Sequence, residues 1–191
     1  GNTVTGTFDI KNDAGVQLTN IVFTLSLSSG SNTIPQSSIT FNPNTISLTA
    51  NETKNVVFTI NTNQVQAPGT YIGNLKIDYK KNNTSMSINN ALSFSLDINQ
   101  KIDLLVTPSP ITVNAQIDKL TTKTFTIQNT GNIALTNLNL VTPNTIKDND
   151  DDITTISLDK TTITLLNPGI SETITISTDV SQDMDIKNYA S

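Results

Sequence analysis

The densest group of side chains able to do chemistry is the acidic run Asp148-Asn149-Asp150-Asp151-Asp152. Carboxylates and an amide at this spacing offer the hard oxygen ligands that Ca²⁺ takes, and Asp148, Asp150 and Asp152 are the residues that would hold it. The run has neither the turn glycine nor the distal bidentate glutamate of an EF-hand loop, which excludes that motif. Its competing reading is a solvated loop that lengthens the gap from Leu140 to Ile156. Three sequons follow: Asn51-Glu52-Thr53, Asn82-Asn83-Thr84 and Asn83-Thr84-Ser85. Asn51, Asn82 and Asn83 all fall where the pattern predicts hairpin turns, and a glycan acceptor must be exposed. With 32 Thr and 25 Asn in the chain, chance supplies a sequon or two, so placement says more than number. Tyr71 and Tyr189 each enter a late strand after a turn. That position suits a tyrosine corner, whose hydroxyl bonds back to the backbone. A sugar-binding platform would need several exposed rings, and the chain is 5% aromatic with no Trp.

Enzymatic chemistry lacks its usual agents. With no His and no Cys, general-base and thiol mechanisms are left to dispersed carboxylates and lysines, so the chain reads as not an enzyme. No disulfide or thiolate metal site is possible, and no cofactor is expected beyond the possible Ca²⁺. A net charge of −5, with all 11 basic residues Lys, argues against nucleic acid, which needs a basic stripe to displace counterions. No stretch approaches the ~20 apolar residues of a membrane span.

The elements that must position these residues are strands. Hydrophobic content is 35% and charge only 14%, with uncharged polar residues filling the gap. Thr and Ile are β-branched and favour pleated, half-buried positions, while Asn favours turns. Apolar residues alternate at Phe8 and Ile10, from Ile21 to Leu27, at Ile46 and Leu48, and from Val56 to Ile60. Leu75, Ile77 and Tyr79 pair through Asn82-Asn83-Thr84-Ser85 with Met86 and Ile88, and a further strand carries Leu92, Phe94, Leu96 and Ile98. No window shows a 3.6-residue period. About seven short strands per ~100 residues is the pattern of a sandwich.

The alternation hides a repeat. Shifted by 117 positions, Thr7-Phe8-Asp9-Ile10-Lys11-Asn12 falls on Thr124-Phe125-Thr126-Ile127-Gln128-Asn129, and Leu18-Thr19-Asn20-Ile21 on Leu135-Thr136-Asn137-Leu138. One inserted residue later, Val56 and Phe58 meet Ile174 and Ile176, and Tyr71 meets Tyr189. The period is that of a whole domain, not of a small solenoid unit. The predicted architecture is all-β: two tandem immunoglobulin-like antiparallel β-sandwiches of Greek-key type, over residues 1–99 and 100–191. Phe8, Ile10, Ile21, Phe23, Phe41 and Phe58 are predicted to point inward, as are Phe125, Ile127, Leu138, Leu140, Leu158 and Ile176.

The segments LLVTPSP, FTIQNTGNIALTNLNL, LNPGISETITIS and APGTYIGNLKI resemble the immunoglobulin-like modules of archaeal S-layer and related extracellular surface proteins. That resemblance implies a structural, extracellular glycoprotein of an S-layer, stalk or filament, self-associating through sandwich edges. Ca²⁺ at inter-domain contacts is part of what it implies. The alternative is an adhesin or a carbohydrate-associated binding module with glycan partners. Domain 1 has no equivalent of Ile102 to Val113, and domain 2 none of Leu75 to Ile98. Each sandwich therefore reads as incomplete at one end. Either a longer native polypeptide, which is preferred, or neighbouring subunits are expected to cover the exposed edges.

Overall fold

A computed structural model describes residues 1–142, 145–147 and 153–180. The chain forms two compact units, Gly1–Gln100 and Lys101–Ser191. Both are immunoglobulin-like β-sandwiches, and among the described residues the only helical element is a single turn at Gln36–Ser38.

In unit 1, β1 (Thr3–Lys11), β6 (Thr53–Asn61) and β4 (Ile39–Asn42) form one sheet with β6 in the centre. The second sheet centres on β2 (Leu18–Ser29) and β7 (Gly69–Lys81). Short β3 (Asn32–Thr33) and β5 (Thr45–Leu48) lie along β2, and β8 (Thr84–Ile98) forms the opposite edge on β7. All ladders are antiparallel. The two-residue period drives the layers together: Ile21, Phe23, Leu25 and Leu27 of β2 are buried against Val56 and Ile60 of β6. Phe8, Ile10, Phe41 and Phe58 pack partly buried on that core, as predicted. Phe23 sits against Phe8 and Phe41 at ring-centroid distances of 5.5 and 5.4 Å. Phe58 meets Phe94 of the other sheet edge-on at 5.1 Å. Gly6 is dictated by that ring, since a Cβ there would overlap the Phe58 side chain.

Unit 2 repeats the plan. Its larger sheet runs β12 (Thr145–Lys147), β13 (Ile153–Leu158), β15 (Ser171–Val180), β10 (Thr121–Asn129), β9 (Leu104–Thr107). β11 (Leu135–Asn139) pairs with β14 (Thr162–Leu166) in the second sheet. The order β13-β15-β10 repeats β4-β6-β1, and even the register carries over: Phe8 opposes Val56 and Phe125 opposes Ile174. Phe125 and Ile127 are buried, with Leu138, Leu140, Leu158 and Ile176 packed partly buried around them. Asn20 and Asn137 both hold positive φ (50° and 54°), a conformation asparagine tolerates better than most residues. In unit 1 it accompanies a register shift of β2 against β5 and β7.

One predicted division does not hold. β8 is a single strand from Thr84 to Ile98, not two. Asn90 takes a positive φ of 59°, and the β7–β8 register shifts between Leu75 and Ile77, so the Asn89-Asn90 pair makes a bulge where the composition suggests a turn. The turn into β8 is also shorter than predicted. Lys81 opposes Thr84, leaving only Asn82 and Asn83 at φ 50° and 65°, the left-handed pair of a type I′ hairpin.

A candidate binding seam in unit 1

A buried asparagine stands at the end of β1 in unit 1 and at the equivalent end of β10 in unit 2. Asn12, 1% exposed, donates through Nδ2 to the carbonyls of Val16 (2.8 Å), Leu48 (3.1 Å) and Thr49 (2.9 Å). Its Oδ1 accepts the Ala14 amide at 2.9 Å. Asn129, wholly buried, does the same with Ile133 (2.8 Å), Leu166 (2.9 Å) and the Gly131 amide (2.9 Å). Each side chain satisfies an Asx-type turn and staples the strand end to the turn between β5 and β6 in unit 1 and between β14 and β15 in unit 2. The backbone completes the staple in both copies: Asn51 N–H to Asn12 O and Gly169 N–H to Asn129 O, each at 2.8 Å.

The stapled turn of unit 1 contains the first sequon. Asn51 sits exposed at φ 63° where the second copy has Gly169 at φ 78°. Glu52 caps the turn, its Oε2 accepting from the Thr49 amide (2.7 Å) and hydroxyl (2.9 Å), while Lys54 Nζ lies 3.3 Å from its Oε1. The Thr49 amide and hydroxyl, more than Lys54, hold the Glu52 carboxyl below its ordinary range. Asn82 and Asn83 are likewise exposed, at the tip of the β7–β8 hairpin. Tyr71 is fully buried, donates its hydroxyl to the Ala67 carbonyl at 2.8 Å and accepts from Gln66 Nε2 at 2.8 Å, the corner expected of it. Asp148, Asp150, Asp152 and Tyr189 lie outside the described residues; among those described, no group of three acidic side chains is placed to hold a metal ion.

Sequence reasoning found only half of the feature most able to act on another molecule: it marked an open edge on unit 1 but not the exposed apolar side chains beside it. β1 and β8 are the outer strands of the two sheets on one side of unit 1, and among the described residues neither outer edge is paired. Between them runs a groove of about 370 Å³, walled by Phe8 to Lys11 of β1 with Asn12 beyond it and by Ile88, Ala91 and Leu92 of β8, with Ile21, Leu48 and Ile77 as its floor. Met86, Ile88 and Leu92 stand opposite Tyr79, Ile77 and Leu75, so they point toward the sandwich interior. They nevertheless remain 43%, 46% and 41% exposed. Inward-facing apolar side chains left in solvent beside an unpaired backbone edge are the ingredients of strand addition. The rim is polar: Asp9, bonded by Asn55 Nδ2 at 2.8 Å, and Lys11, paired with Asp13 at 2.7 Å.

No helix among the described residues is long and apolar enough to cross a membrane. No protein-family model matches the chain, and no curated protein matches it. Solved structures similar to it include the chaperone–tip adhesion subunit pre-assembly complex of the archaic chaperone-usher Csu pili of Acinetobacter baumannii. The match has a TM-score of 0.39 and 10% identity, over 96% of this chain and 82% of that one. The class 5 fimbriae chaperone CfaA is similar at TM-score 0.37 and 14% identity, over 88% and 78%. A protein of unknown function from Porphyromonas gingivalis W83 is similar at TM-score 0.33 and 15% identity, over 92% and 76%. The resemblance drawn from the sequence holds at the level of the immunoglobulin-like sandwich, which the strand order of both units shows. The expectation of a structural element of an S-layer, stalk or filament, and the adhesin alternative with it, is not carried further: the similar solved structures include a fimbrial chaperone and chaperone–adhesin complexes, and theirs is a likeness of fold alone.

Proposed function

We propose that the chain is a non-enzymatic protein-binding module which takes an extended segment of a partner polypeptide along the β1–β8 seam of unit 1, in a setting outside the cytoplasm. The observation that carries this reading is the exposure of Met86, Ile88 and Leu92 on the inner face of β8, beside the unpaired edge of β1. Full burial of such a side chain contributes ~1.5–3 kcal/mol, so covering the 41–46% still exposed on three of them is worth about 2–4 kcal/mol before any backbone bond forms. A cleft this narrow and apolar, walled by strand edges, suits main-chain pairing with alternate side chains buried. The absence of His and Cys and the polar, lightly charged surface support binding over catalysis.

Titrating the ¹⁵N-labelled chain with a library of eight- to twelve-residue peptides of alternating polarity tests the reading. Saturable shifts confined to β1, β8 and the groove floor are expected. Ile88→Lys, which places a charge at the seam without touching a fully buried residue, is expected to abolish them. Shifts elsewhere, or none with any peptide, would refute it.

A further inference from the structure

The internal repeat states what kind of strand the seam accepts. In unit 2 the edge equivalent to β1 is occupied: β9 runs antiparallel along β10, with Leu104 opposite Asn129, Leu105 opposite Gln128, Val106 opposite Ile127 and Thr107 opposite Thr126. Residues directly opposite in an antiparallel pair share a face, so Leu104 and Val106 lie on the side of the buried Ile127. A shift of 117 places the same slots beside Asn12, Lys11, Ile10 and Asp9. From this, and resting on the binding reading above, we infer that the partner of unit 1 is a β9-like strand. It runs antiparallel to β1, with branched apolar residues beside Ile10 and Asn12 and a cationic residue beside Asp9.

The cation follows from charge. In unit 2 the outward slots face Thr126 and Gln128, which are neutral, whereas in unit 1 they face Asp9 and Lys11. Lys11 already pairs with Asp13, and among the described residues Asp9 has only the neutral amide of Asn55. The unmet charge on this rim is therefore negative, and a lysine across from Asp9 complements it.

The partner also has an end-stop. β9 approaches through Lys101, whose carbonyl accepts the Asn132 amide at 3.0 Å and whose amide donates to Asn132 Oδ1 at 2.7 Å. That approach requires Gly131, because a Cβ there would overlap the Lys101 carbonyl oxygen. The equivalent residue in unit 1 is Ala14, which carries that Cβ at the mouth of the groove. The segment leading into such a strand must therefore diverge on the N-terminal side of the residue that pairs with Asn12, within the three residues that separate Lys101 from Leu104 in unit 2.

The test uses the whole chain with synthetic peptides of its own sequence. Peptide 101–108 and the shorter 104–108 are expected to bind with similar affinity, both shifting the amides of Asp9 to Asn12. Ala14→Gly in the protein is expected to tighten the longer peptide at least threefold and leave the shorter unchanged. Thr107→Lys in the peptide is expected to tighten binding severalfold at low salt, a gain abolished by Asp9→Asn in the protein. Binding of other alternating peptides at the seam with none of these β9 peptides bound would overturn the inference and leave the binding reading standing. So would Ala14→Gly and Thr107→Lys both having no effect. Failure of every peptide would overturn both.

Discussion

Replacing Asn12 tests whether the buried staple is what holds the end of β1 in place. The side chain donates to three carbonyl oxygens and accepts one amide, all within 3.1 Å, at 1% exposure. Each such bond contributes a net ~0.5–1.5 kcal/mol, so losing the four in Asn12→Ala should cost about 2–6 kcal/mol. Asn12→Asp keeps the acceptor and the shape but puts a carboxylate against the carbonyls of Val16, Leu48 and Thr49. It should therefore be worse than the alanine substitution, an ordering that simple loss of volume would reverse. Asn129→Ala removes one fewer bond and should cost about a quarter less. With urea m-values of ~1–3 kcal/mol/M, a loss of about 3 kcal/mol moves the midpoint by roughly 1–3 M. Hydrogen-exchange mass spectrometry across the urea series assigns the loss to fragments of unit 1 or unit 2. The staple would be refuted if Asn12→Asp proved at least as stable as Asn12→Ala, or if Asn12→Ala fell within about 0.5 kcal/mol of the parent.

Tyr71→Phe keeps the buried ring and removes the corner bonds to Ala67 and Gln66, so a loss of about 1–2 kcal/mol is expected in thermal or urea unfolding. Asn51→Gly, which copies Gly169 at a left-handed position, should change stability by no more than a few tenths of a kcal/mol, whereas Asn51→Ala should cost about 1 kcal/mol. Glu52, Asp78, Asp103 and Asp159 all have folded pKa values lowered below their references of 4.5 and 3.8, chiefly by bonds from Thr49, Lys76, Lys101 and Thr175 respectively. Their contribution is complete above the unfolded values and lost as pH falls through the folded ones, so the melting temperature should drop as the pH falls below about 4.5. Lys160 is raised from 10.5 by Glu172 and acts in the opposite direction, its contribution lost only as pH climbs past its folded value. Asp159 and Lys160 are exposed and Glu52, Asp78 and Asp103 are open to solvent in part, so each effect should be small and weaken with salt.

Most of the fold was legible because it rests on period. The alternation from Ile21 to Leu27 names its own buried face, and the 117-residue shift carries that reading to unit 2. Tyr71 was readable from its place after Pro68-Gly69-Thr70. Asn12 was not, because asparagine beside Asp13 and Gly15 reads as an exposed turn, and no local pattern says that its amide will be buried among carbonyls. The available signal was that the six-residue match between the copies ends on an asparagine in both, Asn12 and Asn129. Asn90 misled for a related reason: its tolerance of positive φ serves a bulge as well as a turn. The seam was half legible. Phase placed no counterpart of β9 among the given residues of unit 1, but alternation tells only which way Ile88 and Leu92 point. Whether another layer covers them is a property of the packed sandwich.

The hairpin of β7 and β8 bears on how unit 1 reaches its native state. Its two long strands are joined by only Asn82 and Asn83, so its ladder can zip from a local turn on the microsecond scale. The other sheet has no such short cut, since β1 finds β6 only when Thr3 meets Asn61 and Lys11 meets Thr53. Closing that distant pair costs chain entropy before any contact rewards it. The hairpin should therefore be in place early, with Ile88 and Leu92 presented to solvent while the far sheet is still assembling. In that interval the apolar edge has no sandwich behind it and is at its most prone to aggregate.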